Sequence, residues 1–202
     1  MDQPDLVNIF PPGSGVSNRA AREKITNYVV NEVQPKTVLD LGCGVGLYGY
    51  RIRILDKDVK IIGVDANMTY LTSMFCQSCY NIVIQAKIED VVFGPVNIER
   101  DITIMASTIE HFDKITANGI LQSLDKVIIS TALFPMVQEI VDNNRYQEHR
   151  CWYSQEELEK LDYELLFKVE YPTPQPGYCG IFQKGVKKHE NNLRDKVGEK
   201  HG

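Results

Sequence analysis

The chain has 202 residues, 43% hydrophobic and 24% charged, with a formal net charge of −5. That length and balance suit one water-soluble globular domain with a full core, and they exclude a disordered or fibrous chain. No apolar run approaches the ~20 residues of a membrane helix, and the acidic balance argues against a nucleic-acid footprint, for which a basic stripe is expected.

The first 17 residues, "MDQPDLVNIFPPGSGVS", carry neither the basic start nor the apolar block of a secretory signal. Their Pro/Gly stretch reads as a loop that closes over a ligand, or as a frayed terminus. A leading helix is expected over roughly Asn18–Val33, with Ser17 as its N-cap. From there the chain alternates. "KTVLDLG", "KIIGVDA", "NIVIQAK", "DITIMAS" and "KVIISTA" are five β-rich runs, apolar on both faces as buried parallel strands are. Helical candidates lie between them at Leu47–Leu55, Met68–Cys79 and Ile115–Leu124. Such alternation builds βαβ units and hence an α/β fold, a doubly wound, mostly parallel sheet with helices on both faces. After the fifth run comes a long irregular stretch, Leu133–Tyr153. A short helix follows, "SQEELEKL", with Ser154 and Glu157 spaced as a capping box. "YELLFKVEY" and "GYCGIFQKG", joined by "PTPQPG", must then pair antiparallel. The domain is expected to span residues 18–185. Residues 186–202 form a polar tail too poor in apolar groups to order itself, and its Lys/Arg excess offers an arm for an acidic partner. The five cysteines (Cys43, Cys76, Cys79, Cys151, Cys179) form an odd set without a disulfide framework, which predicts a reducing, cytoplasmic setting.

The chemistry concentrates in "TVLDLGCGVGLYG", where Gly42, Gly44 and Gly46 follow a strand and open a helix. Glycines so spaced let the main chain pass close to a ligand, and the helix offers free N–H groups. The next strand ends in Asp65, where nucleoside sites place an acid that accepts from both ribose hydroxyls. The spacing is G-x-G-x-G rather than the G-x-G-x-x-G of dinucleotide sites. Asp40, two residues ahead of the first glycine, would repel a pyrophosphate and suits an ammonium or sulfonium. Taken singly, the glycines also fit a tight βα turn without a ligand, and Asp65 also fits a helix N-cap.

"VLDLGCGVG" and "IIGVDANMTYL", in that order, resemble the first two motifs of the class I (Rossmann-like) S-adenosylmethionine-dependent methyltransferases. The similarity continues in "IQAKIEDV", in "DITIMASTIEHF" and in the final hairpin, over roughly residues 20–185. The resemblance implies a seven-stranded sheet ending in an antiparallel hairpin, S-adenosyl-L-methionine as cofactor, and transferase activity on a methyl acceptor. It implies that Asp40 and the backbone of Gly42, Cys43, Gly44 and Gly46 hold the methionine end. Asp65 would take the ribose hydroxyls, with Ala66, Met68 and Ile88 about the adenine and Ser107 facing the sulfonium. Many relatives carry an acid where this chain has Lys87, and Glu89 or Asp90 would have to substitute.

Methyl transfer from a sulfonium needs the acceptor held in line, and needs a base only where the acceptor must lose a proton. His111, in "STIEHF" just past the fourth strand, is the candidate base; it equally suits a helix-start residue bonded to a loop. The stretch "NNRYQEHRCWY" gathers Tyr146, His149, Arg150 and Trp152, which read an acceptor or form a lid with Trp152 as its plug. Tyr48 is expected to line the same cavity. "CQSC" (Cys76 to Cys79) has no second pair at zinc spacing and the histidines are scattered, so no metal is expected. The expected activity is methyl transfer to a small-molecule acceptor, without nucleic acid or membrane. Two rivals stay open: a non-catalytic S-adenosylmethionine-binding subunit, and an NAD-linked oxidoreductase. The acceptor, the atom methylated and the oligomeric state are not legible.

Overall fold

The structure is a computed structural model that describes residues 18–95, 97–136, 139, 145–170 and 177–188. The expected Ser17 cap, the N-terminal loop, Asn143 and Asn144, the "PTPQPG" turn up to Pro176 and most of the basic tail therefore lie outside the described residues.

Seven strands form one sheet: β1 (Thr37–Leu41), β2 (Lys60–Asp65), β3 (Ile82–Gln85), β4 (Ile102–Ala106), β5 (Val127–Ala132), β6 (Glu164–Glu170) and β7 (Tyr178–Lys184). Their spatial order is β3-β2-β1-β4-β5-β7-β6. The first five are mutually parallel, with Asp40 opposite Gly63 on one side and Ile104 on the other. β7 inserts antiparallel between β5 and β6, as two strands joined by a short connection require. The expected doubly wound sheet with its terminal hairpin is thus present.

The helices are α1 (Arg19–Tyr28), α2 (Leu47–Leu55), α3 (Met68–Leu71), α4 (Met74–Cys79), α5 (Ile88–Phe93), α6 (Lys114–Ser123) and α7 (Gln155–Glu159). Strand alternation divides the core into two layers. Val38, Ile61, Ile102, Ile104, Ile128 and Ile181 face α1, α2 and α4. Leu39, Leu41, Ile62, Val64, Met105, Ile129 and Phe182 face α5, α6 and α7. Each fully buried aliphatic side chain contributes ~1.5–3 kcal/mol, so the central strands anchor the loops at their ends.

Local chemistry moved several boundaries. The leading helix is capped by Asn18, whose side chain accepts from the amides of Ala20 and Ala21 at 2.9 and 3.3 Å. It runs on through a π-helical turn, Val29–Val33, and stops at Gln34 in the left-handed region. The single helix expected over Met68–Cys79 is two. Ser73 turns its hydroxyl onto the Cys76 amide at 3.2 Å and starts α4 afresh, because a serine side chain competes with the helical backbone ladder. β3 is partly exposed along its length, since it is the sheet edge rather than a strand buried on both faces. The Ser154–Glu157 capping box forms as its spacing predicts.

Candidate functional site

β1 ends at Leu41, and the next two amides, Gly42 and Cys43, both donate to the Val64 carbonyl, at 2.8 and 3.0 Å. This bends the chain over the end of β2. Gly42, Gly44 and Gly46 have φ of 76°, 54° and 95°, a region that L side chains rarely enter. Space is short as well: a Cβ at Gly42 would lie 2.6 Å from the Thr108 hydroxyl oxygen, and one at Gly46 would press on Cys76, 3.1 Å from its Sγ. Cys76 in turn donates its thiol to the Gly44 carbonyl at 3.2 Å. The glycine loop is therefore clasped between the ends of β2 and β4 and the start of α4.

Asp65, half-buried at the carboxyl end of β2, ties this loop to the next one. Its Oδ2 accepts from the Gly44 amide at 2.9 Å and its Oδ1 from the Asn67 amide at 2.8 Å. Burial raises its pKa above the ordinary aspartate value, and these backbone amides pull it back down. An ionised carboxylate accepts up to about four hydrogen bonds, so capacity remains for hydroxyl donors at the edge.

Asp40 lies one layer deeper. It is 1% exposed, on the α2 side of β1, and Tyr80 donates its hydroxyl to Oδ2 at 2.6 Å. The same hydroxyl accepts from the Gly49 amide at 3.1 Å. Gly49 and Gly63 make room for the Tyr80 ring, since a Cβ at either would fall within 2.8 Å of a ring atom. Burial pushes Asp40 up to about 7, against the Tyr80 hydrogen bond that lowers it. A cation placed above the loop would favour the ionised form.

The other expected cofactor residues frame the same edge. Ala66 is half-buried after Asp65, Met68 is 49% exposed, and Ile88 is buried at the start of α5 behind an extended Lys87. Ser107, at the end of β4, has φ of 50°, unusual for a non-glycine residue, and its amide donates to the Ser130 carbonyl at 2.8 Å. Tyr48 is elsewhere: its ring is buried in the core layer shared with α1, beside Arg22.

Past Ser107 and Thr108, a single 3₁₀ turn, Ile109–His111, brings up the second half of the site. The residues from Arg145 to Tyr153 fold across it. The amides of Arg150 and Cys151 both donate to the Glu110 carbonyl, at 2.8 and 3.2 Å. Lys114 of α6 donates to the Trp152 carbonyl at 2.6 Å and lies 3.5 Å from the centre of the Tyr153 ring. His149 thereby meets His111 edge to face, with ring centres 4.9 Å apart. Glu110 is 4% exposed and accepts from the Thr131 hydroxyl at 3.3 Å. Burial raises the Glu110 carboxyl and lowers both imidazoles. Asp65 and His111 are near enough that the charge of each biases the other. Of the expected acceptor residues His149 joins His111 closely. Tyr146 and Trp152 are 38% and 45% exposed, so Trp152 is not a plug, and Arg150 pairs with Glu148 at 2.9 Å on the surface.

Tyr80, Thr108 and Glu110 are not among the residues expected from the sequence. The signal for Tyr80 was present in Gly49 and Gly63, two small residues at otherwise apolar positions. Nothing local signals that residue 149 returns to residue 110.

No protein-family model matches the chain, and no curated protein matches it in sequence. Solved structures do. Magnesium protoporphyrin IX methyltransferase from Synechocystis PCC 6803, with bound SAM, aligns over 82% of this chain and 78% of its own at 12% identity and TM-score 0.58. The N-terminal domain of EvdMO1, in the presence of SAH and D-fucose, aligns over 84% of each chain at 12% identity and TM-score 0.59. The methyltransferase domain of bacterial CtHen1-C aligns over 82% of this chain and 97% of its own at 20% identity and TM-score 0.56. At such identities the likeness is one of fold, and together with the strand order it establishes that this chain has the Rossmann-like fold of the S-adenosylmethionine-dependent methyltransferases.

Proposed function

We propose that the chain is an S-adenosylmethionine-dependent methyltransferase acting on a small-molecule acceptor. The observation that carries this is the loop of three positive-φ glycines whose middle amide is bonded to the half-buried Asp65. Such a cradle fits a nucleoside: Asp65 retains acceptor capacity for ribose hydroxyls, and main chain without Cβ atoms lies beside it. Asp40 adds a buried carboxyl beneath the loop, whose ionised form an ammonium or a sulfonium would favour. Ala66, Met68 and Ile88 would line the adenine, and Ser107 would stand between donor and acceptor. S-adenosylmethionine supplies the activated methyl group, so the chain's own task is to hold the acceptor in line about 3 Å away. The fold of SAM- and SAH-bound structures supports this reading. Among the described residues no helix is long and apolar enough to cross a membrane.

The test is calorimetry of the full chain with S-adenosylhomocysteine. Binding with micromolar affinity is expected, weakened at least ~10-fold in Asp65→Ala, which leaves hydroxyls and loop amides unpaired. No binding by the wild-type chain, or preferential binding of NAD, overturns the proposal. Binding without transfer of labelled methyl to any component of a small-molecule extract would leave a binding subunit instead.

A further inference from the structure

We infer that Glu110, His111 and His149 form a divalent-metal site on the acceptor side of the glycine loop. One potential ligand atom from each of the three lies within 4.8 Å of the other two. They come from the turn after β4 and from the segment folded over it, and the Arg150 and Cys151 amides hold that segment in place through the Glu110 carbonyl.

The surroundings of the two rings are those of metal ligands. His111 Nδ1 lies 3.2 Å from the Glu148 carbonyl oxygen, and His149 Nδ1 lies 2.9 Å from that of Met136. A carbonyl can only accept, so we assign the proton to Nδ1 in each ring and offer Nε2 to the metal; the His111 ring also faces the Ser107 and Gln147 carbonyls. Backbone carbonyls on the far nitrogen are the usual means of fixing the tautomer and orientation of a metal-bound imidazole. Glu110 is oriented in the same way by the Thr131 hydroxyl. Two imidazoles and one carboxylate favour a first-row transition ion such as Mn²⁺, Fe²⁺, Co²⁺ or Zn²⁺ over Ca²⁺, and three protein ligands leave coordination positions open.

The place of the site gives it a use, and this part rests on the methyltransferase reading. Thr108, which touches the glycine loop at Gly42, is two residues before Glu110. An open position there would bind an acceptor oxygen and make its hydroxyl more acidic, so the acceptor class is a hydroxyl compound. The hydroxyl gives its proton to water. The oxygen's electron pair then makes the new O–C bond while the donor's C–S bond breaks and its electrons return to sulfur. His111 serves as a ligand here, and the metal replaces a side-chain base.

The experiment uses the full chain without an added histidine tag, stripped with chelator and titrated with Mn²⁺ by calorimetry and with Co²⁺ by visible absorption. One equivalent per chain is expected, with Co²⁺ bands of a nitrogen–oxygen site. Glu110→Gln and His149→Ala should each weaken binding at least ~10-fold while far-ultraviolet dichroism stays unchanged. His189→Ala with His201→Ala should bind as wild type. S-adenosylhomocysteine affinity, measured in the same preparations, should be unaffected by either ligand variant. Saturation of the donor site with no metal uptake overturns this inference and leaves the methyltransferase reading standing. Metal uptake that survives Glu110→Gln, or that is lost with the two tail histidines, also overturns it. One equivalent lost in Glu110→Gln supports the site even if S-adenosylhomocysteine fails to bind.

Discussion

The two halves of the site are built in opposite ways. On the β1–β2 side the functional groups are close in sequence and held by main chain: Gly44 and Asp65 are 21 residues apart and joined by a single amide hydrogen bond. On the β4–β5 side Glu110 and His149 are brought together only because a segment from beyond β5 lays its backbone across a 3₁₀ turn. The first half depends on backbone conformation, which few residues can satisfy. The second depends on docking, which many sequences can satisfy and which leaves little trace in composition.

That contrast can be broken at defined points. Gly42→Ala should be the most damaging, because it combines positive φ with a Cβ 2.6 Å from Thr108 Oγ1. A loss of about 2–4 kcal/mol in denaturant unfolding is expected. Adding Thr108→Ala should recover part of it, since that relieves the overlap but not the backbone strain; full recovery would show that conformation matters less than contact. Arg150→Pro removes the amide bonded to Glu110 at 2.8 Å. About 1–3 kcal/mol should be lost, metal uptake should fall, and S-adenosylhomocysteine affinity should hold within about twofold. Equal loss of both affinities would mean that the halves are not separable.

The smallest effect is expected from Tyr80→Phe, and it is visible only against pH. Asp40 has its folded pKa raised to about 7, so the folded state binds its proton more tightly than the unfolded chain does. Its contribution therefore makes stability fall as pH rises from about 4 toward 7, and the affinity for a cationic ligand rise through the same upper range. Removing the Tyr80 donor takes away an interaction that lowers this pKa, so the midpoint should move upward in Tyr80→Phe. At pH 7 the variant should bind S-adenosylhomocysteine severalfold more weakly and at pH 8.5 nearly as well as wild type. A pH-independent difference would remove Asp40 from the account.

How much of this was legible follows the same division. β1, β2, β4 and β5 announce themselves because strands covered on both faces need unbroken apolar runs, and the count of seven follows once the final hairpin is seen. The glycine loop and Asp65 are legible because only glycine tolerates three positive φ values in five residues. The hexapeptide helix α5 is not: Ile88–Phe93 is too short to show a period, and Lys87 gives no side-chain cap. Nor is Trp152 placed correctly, for size alone says nothing about which way a loop turns its ring. His149 illustrates the limit. Its partner is 39 residues back, and the link between them runs through main-chain amides that any residue but proline could supply.

The ring of Tyr80, seated in the space left by Gly49 and Gly63, makes three separated positions a single steric unit. No side chain can be added at 49 or 63 while an aromatic stands at 80, and no aromatic can stand at 80 unless both remain bare. Related chains should therefore exchange these residues as a set. Where the set changes, the acid at the position of Asp40 loses its phenol and should be replaced in the same step or titrate in a different range.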